Sequence, residues 1–292
     1  MKWKITTLIE NHADSDGDLA CEHGLSVLIE GETFRLLMDT GQSGAFYENA
    51  SRMGISLSGL DAVVLSHAHY DHTGGLLKLI KEEGVPRKLY VGKHFFRKCY
   101  DRKPDGRMKY IGTKFDSQML KDLRVPVEEI SRDCFEITPG LTIHGNFART
   151  IPYEEHNPCF FYQEEENDCG PYGRCMDSMN YREDTFEDEI ALALDVDEGL
   201  FVIVGCSHPG IVNILTTISQ RSGKKIYGVI GGTHLMDANR ERTLLTVNDF
   251  KKLGVKRLGV SHCTGDENTA ILKDSFGDAF FQNHTGTVLE LN

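Results

Sequence analysis

Residues 66–75 of this chain read SHAHYDHTGG, three histidines and an aspartate in one loop between the apolar runs LDAVVL and LLKLI. Neutral imidazole nitrogen and carboxylate oxygen are ligands for Zn²⁺ and similar ions, at about 2.0–2.2 Å. His67 and His69 stand two apart, the strand period, so an extended backbone points both the same way. Asp71 and His72 can then turn toward a second ion as the chain enters a helix. Thr73 is the expected cap of that helix, and Gly74 and Gly75 leave the backbone room. Three more histidines sit in the same kind of place: His208 after FVIVGCS, His234 after YGVIGGT and His262 after KRLGVS. A lone loop histidine is usually an ordinary polar residue. Four apolar runs, each ending in a small residue and then histidine, point to one built site.

The elements that must position these residues follow from the pattern. WKITTLIE, LSVLIE and TFRLLMD read as short strands separated by glycine-containing turns. GAFYENASRMG reads as a helix ending at Gly54, DAVVLS as a buried strand, GGLLKLIKEEG as a helix ending at Gly84 and RKLYVG as a strand. Regularity lapses over 92–188 and then returns. EIALALDV and GLFVIVGCSH look like a hairpin, followed by alternating helices and strands to GTVLELN. The expectation is an α/β layered protein, one domain over 1–292, with 92–188 an irregular insertion on the substrate side. Strand C-terminal ends are where such proteins build sites.

H-x-H-x-D-H after a buried strand resembles the signature of the metallo-β-lactamase superfamily. LLMDTG, GCSH and SHCTG are similar to further motifs of that family, in order. The resemblance implies an αββα sandwich of two similar halves with metals at one edge. It implies His67, His69 and His208 on a first ion, and Asp71, His72 and His262 on a second. Asp39 would support that shell from behind. Many members place a bridging aspartate or cysteine between the third and last motifs; here that position reads as His234, in GGTH. A neutral imidazole bridges two cations poorly, so His234 is expected to face substrate. CEHGLS, SHAHYDHTGGL, GCSHPGIVN, GGTHL and HCTG together resemble the branch of metal-dependent hydrolases and dihydropterin-ribofuranosylaminobenzene 5′-phosphate synthases.

That resemblance implies a binuclear metallohydrolase using a metal-bound hydroxide on a small anionic substrate, phosphorylated or cyclic-phosphate. A pterin-methyl transferase is the second reading, and a non-catalytic, metal-stabilised ligand sensor the third. Two divalent ions are implied, zinc first, with manganese, iron or nickel also compatible with histidine ligation. Asp71 would orient the hydroxide, and His234 would donate to developing charge or protonate the leaving group. Glu22 and His23 lie on the first hairpin turn, which overhangs the site in this superfamily, so both are candidate substrate contacts.

Charge narrows the partners. Net charge is −12, and nucleic-acid binding needs a basic face, so none is expected. From Lys81 to Arg132 there are 14 Lys/Arg against 8 Asp/Glu, whereas Ile151 to Leu200 has 2 against 15. The basic arm, with His94, Arg97, Lys98, Lys109 and Tyr110, is the expected anion-binding segment. Phe95 and Phe96 there either stack on a substrate ring or belong to the core. His12, His144, His156 and His284 lack strand-end context and read as surface or structural. Eight cysteines in a chain of 292 residues do not make a disulfide scaffold. Cys159, Cys169 and Cys175 share one loop, read as scattered thiols, with a small metal site or local disulfide as alternatives. No apolar run reaches membrane-spanning length and the N-terminus turns polar early, so a cytoplasmic protein with no membrane partner is expected.

Overall fold

The computed structural model describes residues 2–13, 17–155, 157–164 and 180–292. Two large sheets face each other. The first has seven strands in the order Val288–Leu291, Trp3–Ile9, Ser26–Glu30, Arg35–Met38, Ala62–Leu65, Leu89–Gly92 and Val127–Ile130. The second has six: Arg257–Ser261, Ile226–Gly232, Gly199–Val204, Ala191–Val196, Leu141–His144 and Cys134–Thr138. The last strand returns to the first, with Trp3 opposite Leu291 in antiparallel register.

Strand alternation builds three apolar layers. Leu36 and Met38 face the other sheet while Leu37 between them faces the helices; Phe201 and Ile203 face inward while Val202 and Val204 face outward. Period-2 alternation with both faces apolar is what a sheet covered on both sides requires. Helices Ala45–Arg52, Leu76–Glu83 and Ser117–Asp122 contribute to the layer on the first sheet, and Ile211–Ser222, Arg240–Leu253 and Asp266–Phe276 to that on the second. The result is the expected αββα sandwich. None of the described helices is long and apolar enough to cross a membrane.

The irregular stretch expected over 92–188 divides differently. Val127–Ile130, Cys134–Thr138 and Leu141–His144 are strands of the two large sheets, not of an insertion. Lys98–Arg102, Met108–Tyr110, Phe160–Gln163 and Tyr181–Glu183 form a separate four-stranded sheet. The framework strands were hard to see because Val127–Ile130 and Cys134–Thr138 carry several charged or half-exposed residues, as edge strands do.

His144 closes a framework strand and is buried, with no hydrogen-bond partner for Nδ1. Burial, helped by the Arg221 charge, pulls its pKa from 6.5 to about 4. The unfolded chain therefore takes up this proton near pH 6.5 and the folded chain only near pH 4. Its contribution to stability is complete above about pH 6.5 and is lost as pH falls toward 4. Urea unfolding should show about 3 kcal/mol less acid destabilisation over that window in His144→Phe than in the parent. Identical pH slopes in the two would refute the assignment.

Candidate metal centre

The C-terminal ends of five strands meet at one edge of the sandwich, and beyond four of them the chain leaves extended geometry abruptly. Asp39, Ser207, His234 and His262 have φ of 60°, 64°, 48° and 54°. Left-handed backbone at a non-glycine residue costs roughly 1–3 kcal/mol and persists only where the surroundings enforce it. Here it turns each chain out of its strand and into the same space. Close packing finishes the job: a Cβ on Gly74 would lie 2.1 Å from the Gln42 carbonyl oxygen, and one on Gly205 would lie 2.2 Å from Ser66 Oγ.

His67, His69 and His208 form a triangle, with ring centroids 4.6, 4.8 and 4.9 Å apart. The Nε2 atom of each is buried and has no hydrogen-bond partner. An unpaired buried polar atom is costly, and three in one place call for a shared partner. Burial depresses all three pKa values, His69 to about 4 and the others well below 6.5. They are therefore neutral lone-pair donors at physiological pH. Phe186 stacks on His208 at 3.9 Å and holds its plane.

Beside this triangle lies a second cluster. Asp71 Oδ2 is 3.2 Å from His262 Nε2 and 3.6 Å from His72 Nε2. His72 Nε2 is 3.1 Å from both His262 Nε2 and Cys206 Sγ. Asp71, His72, Cys206 and His262 bring one donor atom each within 4.8 Å of one another, and so do His67, Cys206 and His208. Cys206 thus belongs to both groups. Burial pushes its thiol pKa up, whereas a bound cation would deprotonate it. Burial works against the Asp71 carboxylate too, but the His72 charge and hydrogen bonds from His23 and His262 hold it well below the usual range. Crowded lone pairs, unpartnered nitrogens and a buried carboxylate are a donor set that could hold a metal ion.

Supporting contacts fix the rings. Asp39 accepts from Ser66 N, Ser66 Oγ and His72 Nδ1, each at 2.7 Å, and is fully buried. Burial would lower the His72 pKa, but Asp39 and Asp71 raise it to about 9. Asn11 Oδ1 meets His262 Nδ1 at 3.0 Å, and Glu10 Oε1 accepts the His262 N–H at 2.5 Å. Glu189 accepts Ser207 N at 2.5 Å and His208 N at 2.9 Å, and Asp188 accepts Ala68 N at 2.8 Å. Cys206, Glu10, Asn11, Asp188 and Glu189 were not anticipated. Cys206 stands two residues before His208, on the strand period, which was the available signal; the four acids and amides carry no motif of their own.

Other expected positions are distributed less evenly. His23 Nε2 is 3.2 Å from Asp71 Oδ2, at the rim of the centre. Glu22 accepts from Gln42 N, Ser43 N and Ser43 Oγ, pinning that loop. Thr73 is not the helix cap but the last residue of the short helix Tyr70–Thr73, its hydroxyl bonded back to the His69 carbonyl at 2.9 Å. His234 sits against His208, ring centroids 4.4 Å apart, and outside both donor groups. Burial lowers its pKa to about 4, so it faces the cavity as a neutral ring with one N–H to donate.

A cavity of about 450 Å³ opens on this side, lined among others by His208, His234, Phe186, Asp237 and Arg242. His94, Arg97, Lys98 and Phe96 line a different cavity of about 700 Å³, and the two share no described residue. Arg97 is paired with Glu187 at 3.0 Å and lies over the Tyr162 ring; Phe95 is core. Arg97 and Lys98 thus line a cavity apart from the strand-end histidines, whereas Lys109 of the same arm lies over the Tyr70 ring at 5.8 Å, beside the histidine loop. Cys159 lines the 450 Å³ cavity as a free thiol. Cys169, Cys175 and His156 lie outside the described residues.

The sandwich, the strand-end histidines and their supporting carboxylates define a class: this chain belongs to the metallo-β-lactamase superfamily, whose family model matches residues 19–143. Within it, the chain is 33% identical to the 7,8-dihydropterin-6-methyl-4-(β-D-ribofuranosyl)-aminobenzene-5′-phosphate synthase of Methanocaldococcus jannaschii, over 98% of this chain and 96% of that one. The crystal structure of Tm1679, a metal-dependent hydrolase of the β-lactamase superfamily, matches with a TM-score of 0.82 at 30% identity, over 98% of each chain.

Proposed function

We propose that this protein is a metal-dependent enzyme that holds two divalent ions, zinc foremost, and hydrolyses a small phosphorylated or cyclic-phosphate substrate. The observation that carries this reading is the convergence of three buried, unpartnered imidazole nitrogens beside a buried carboxylate cluster. His67, His69 and His208 would hold one ion, and Asp71, His72 and His262 the other, with Cys206 within reach of both. Bound there, such ions acidify water toward neutral pH and polarise a phosphoryl or carbonyl oxygen. Asp71 keeps its charge at neutral pH and can accept a proton-bearing nucleophile's hydrogen bond. Asp39 and Asn11 fix the tautomers of His72 and His262 by bonding their Nδ1 atoms, which aims Nε2 into the site. His234 donates a hydrogen bond to charge developing on the substrate.

A second reading, group transfer, is supported by the near-full-length likeness to a synthase. The two separate by product. Zinc- and manganese-loaded protein should cleave a phosphodiester, a cyclic nucleotide or a phosphomonoester in preference to a thioester or β-lactam, with solvent ¹⁸O entering the product. Turnover without ¹⁸O, and a new bond to a supplied amine acceptor, would move the assignment to transfer. Absence of any turnover with two ions bound would sink the hydrolase reading.

A further inference from the structure

The cavity lined by His94, Arg97 and Lys98 of the basic arm lies apart from the strand-end histidines. Arg97 shares the Glu187 carboxylate with Lys93, and its cavity does not include those histidines. In the cavity that does, Arg242 is the cationic residue among the described lining side chains. It stands in the first turn of helix Arg240–Leu253, whose start is fixed by Asn239 accepting the Arg242 N–H at 2.9 Å. Its backbone is thereby held; its half-buried guanidinium acts electrostatically on the buried Glu154 carboxylate. Nε is buried and has no hydrogen-bond partner. Asp237 and Glu155 line the same cavity, yet among the described residues no carboxylate forms an ion pair with Arg242. Arg149, the other arginine near this edge, already donates to the His208 carbonyl oxygen at 3.1 Å.

A buried Nε donor with no acceptor, beside a cavity, is unfavourable until an acceptor arrives. The guanidinium fork matches a tetrahedral oxyanion bidentately. We propose that Arg242 is the phosphate anchor of the substrate, binding a terminal phosphomonoester while the His208 and His234 side of the cavity carries the reaction. This deepens the metal-enzyme reading above and rests on it for the reacting end. Asp237 and Glu155, acceptors in the same wall, would then disfavour a second anionic group and suit a substrate that also carries N–H donors.

The test is calorimetric titration of the zinc-loaded full chain with phenyl phosphate, beside Arg242→Gln, Arg242→Lys and Arg97→Gln, with zinc content and circular dichroism recorded for each. Arg242→Gln should weaken binding about tenfold to hundredfold at unchanged zinc content. Arg242→Lys, which keeps the charge but not the fork, should recover part of it, and this variant carries the test if the glutamine variant does not fold. Arg97→Gln should bind like the parent. Equal binding in parent and both Arg242 variants, no binding in the parent, or a loss on Arg97→Gln alone would overturn the anchor. Arg242-dependent binding in a chain that turns nothing over would uphold the anchor and count against the enzyme reading. Turnover indifferent to Arg242→Gln would do the reverse.

Discussion

Asp71→Asn should lower kcat/KM by at least about a hundredfold and leave the chain folded. The substitution keeps the side chain's shape and one oxygen but removes the charge. That charge sits 3.2 Å from both His23 Nε2 and His262 Nε2, where the proposed second ion needs it. Groups that merely orient metal ligands matter 10–100-fold, so the loss of a charged ligand should equal or exceed the upper end of that range. Zinc content should fall from two ions toward one, because His67, His69 and His208 are untouched. The paired readout matters: activity lost with both ions retained would make Asp71 a proton acceptor and not a ligand, and full activity with both ions retained would remove it from the mechanism.

Asp39→Ala should destabilise the protein by about 3–5 kcal/mol, the largest stability effect expected of any single residue at this edge. Three donors, Ser66 N, Ser66 Oγ and His72 Nδ1, lose their acceptor in a site that water does not reach. The His72 charge loses the nearest carboxylate opposing its burial. An alanine must also adopt φ near 60°, which costs roughly another 1–2 kcal/mol. Asp39→Asn separates these contributions, since asparagine tolerates left-handed backbone and keeps one acceptor oxygen but not the charge. Its loss should be clearly smaller in stability while metal affinity still falls about 10–100-fold. Urea midpoints at constant m-value and competition with a chelator measure the two effects. Equal urea midpoints for Asp39→Ala and the parent would show that the buried hydrogen bonds contribute nothing net.

What was legible in the chain was legible because periodicity and local spacing are properties of neighbours in sequence. The apolar runs in TFRLLMD, DAVVLS and GLFVIVGCSH announced strands, and Gly54 and Gly84 marked where helices stop. His67-x-His69 needed only the strand period to share a face. The strand at Val127–Ile130 escaped notice because an edge strand bears charge on positions that a central strand would fill with apolar residues. Cys206 was visible as a residue near a histidine, but its place between two donor groups depends on how two separate strands end side by side.

The same division bears on where an anion would bind. Lys81 to Arg132 is basic in composition, and composition is all that a linear reading can weigh. Whether a charge is available depends on what folds against it. Glu187, 90 residues from Arg97 in sequence, pairs with that arginine, and Tyr162 covers it. Arg242 sits in an unremarkable helix, RERTLLTVNDFKKL, and only the packing of that helix beside His234 leaves its Nε buried and unmatched. By itself, the sequence determined the alternating layers and the histidine-bearing strand ends, because these follow from local periodicity and spacing. Tertiary structure alone decided which carboxylates hold the rings, which cysteine joins the donors and which arginine faces the cavity. Those are matters of desolvation and distance between segments far apart in the chain.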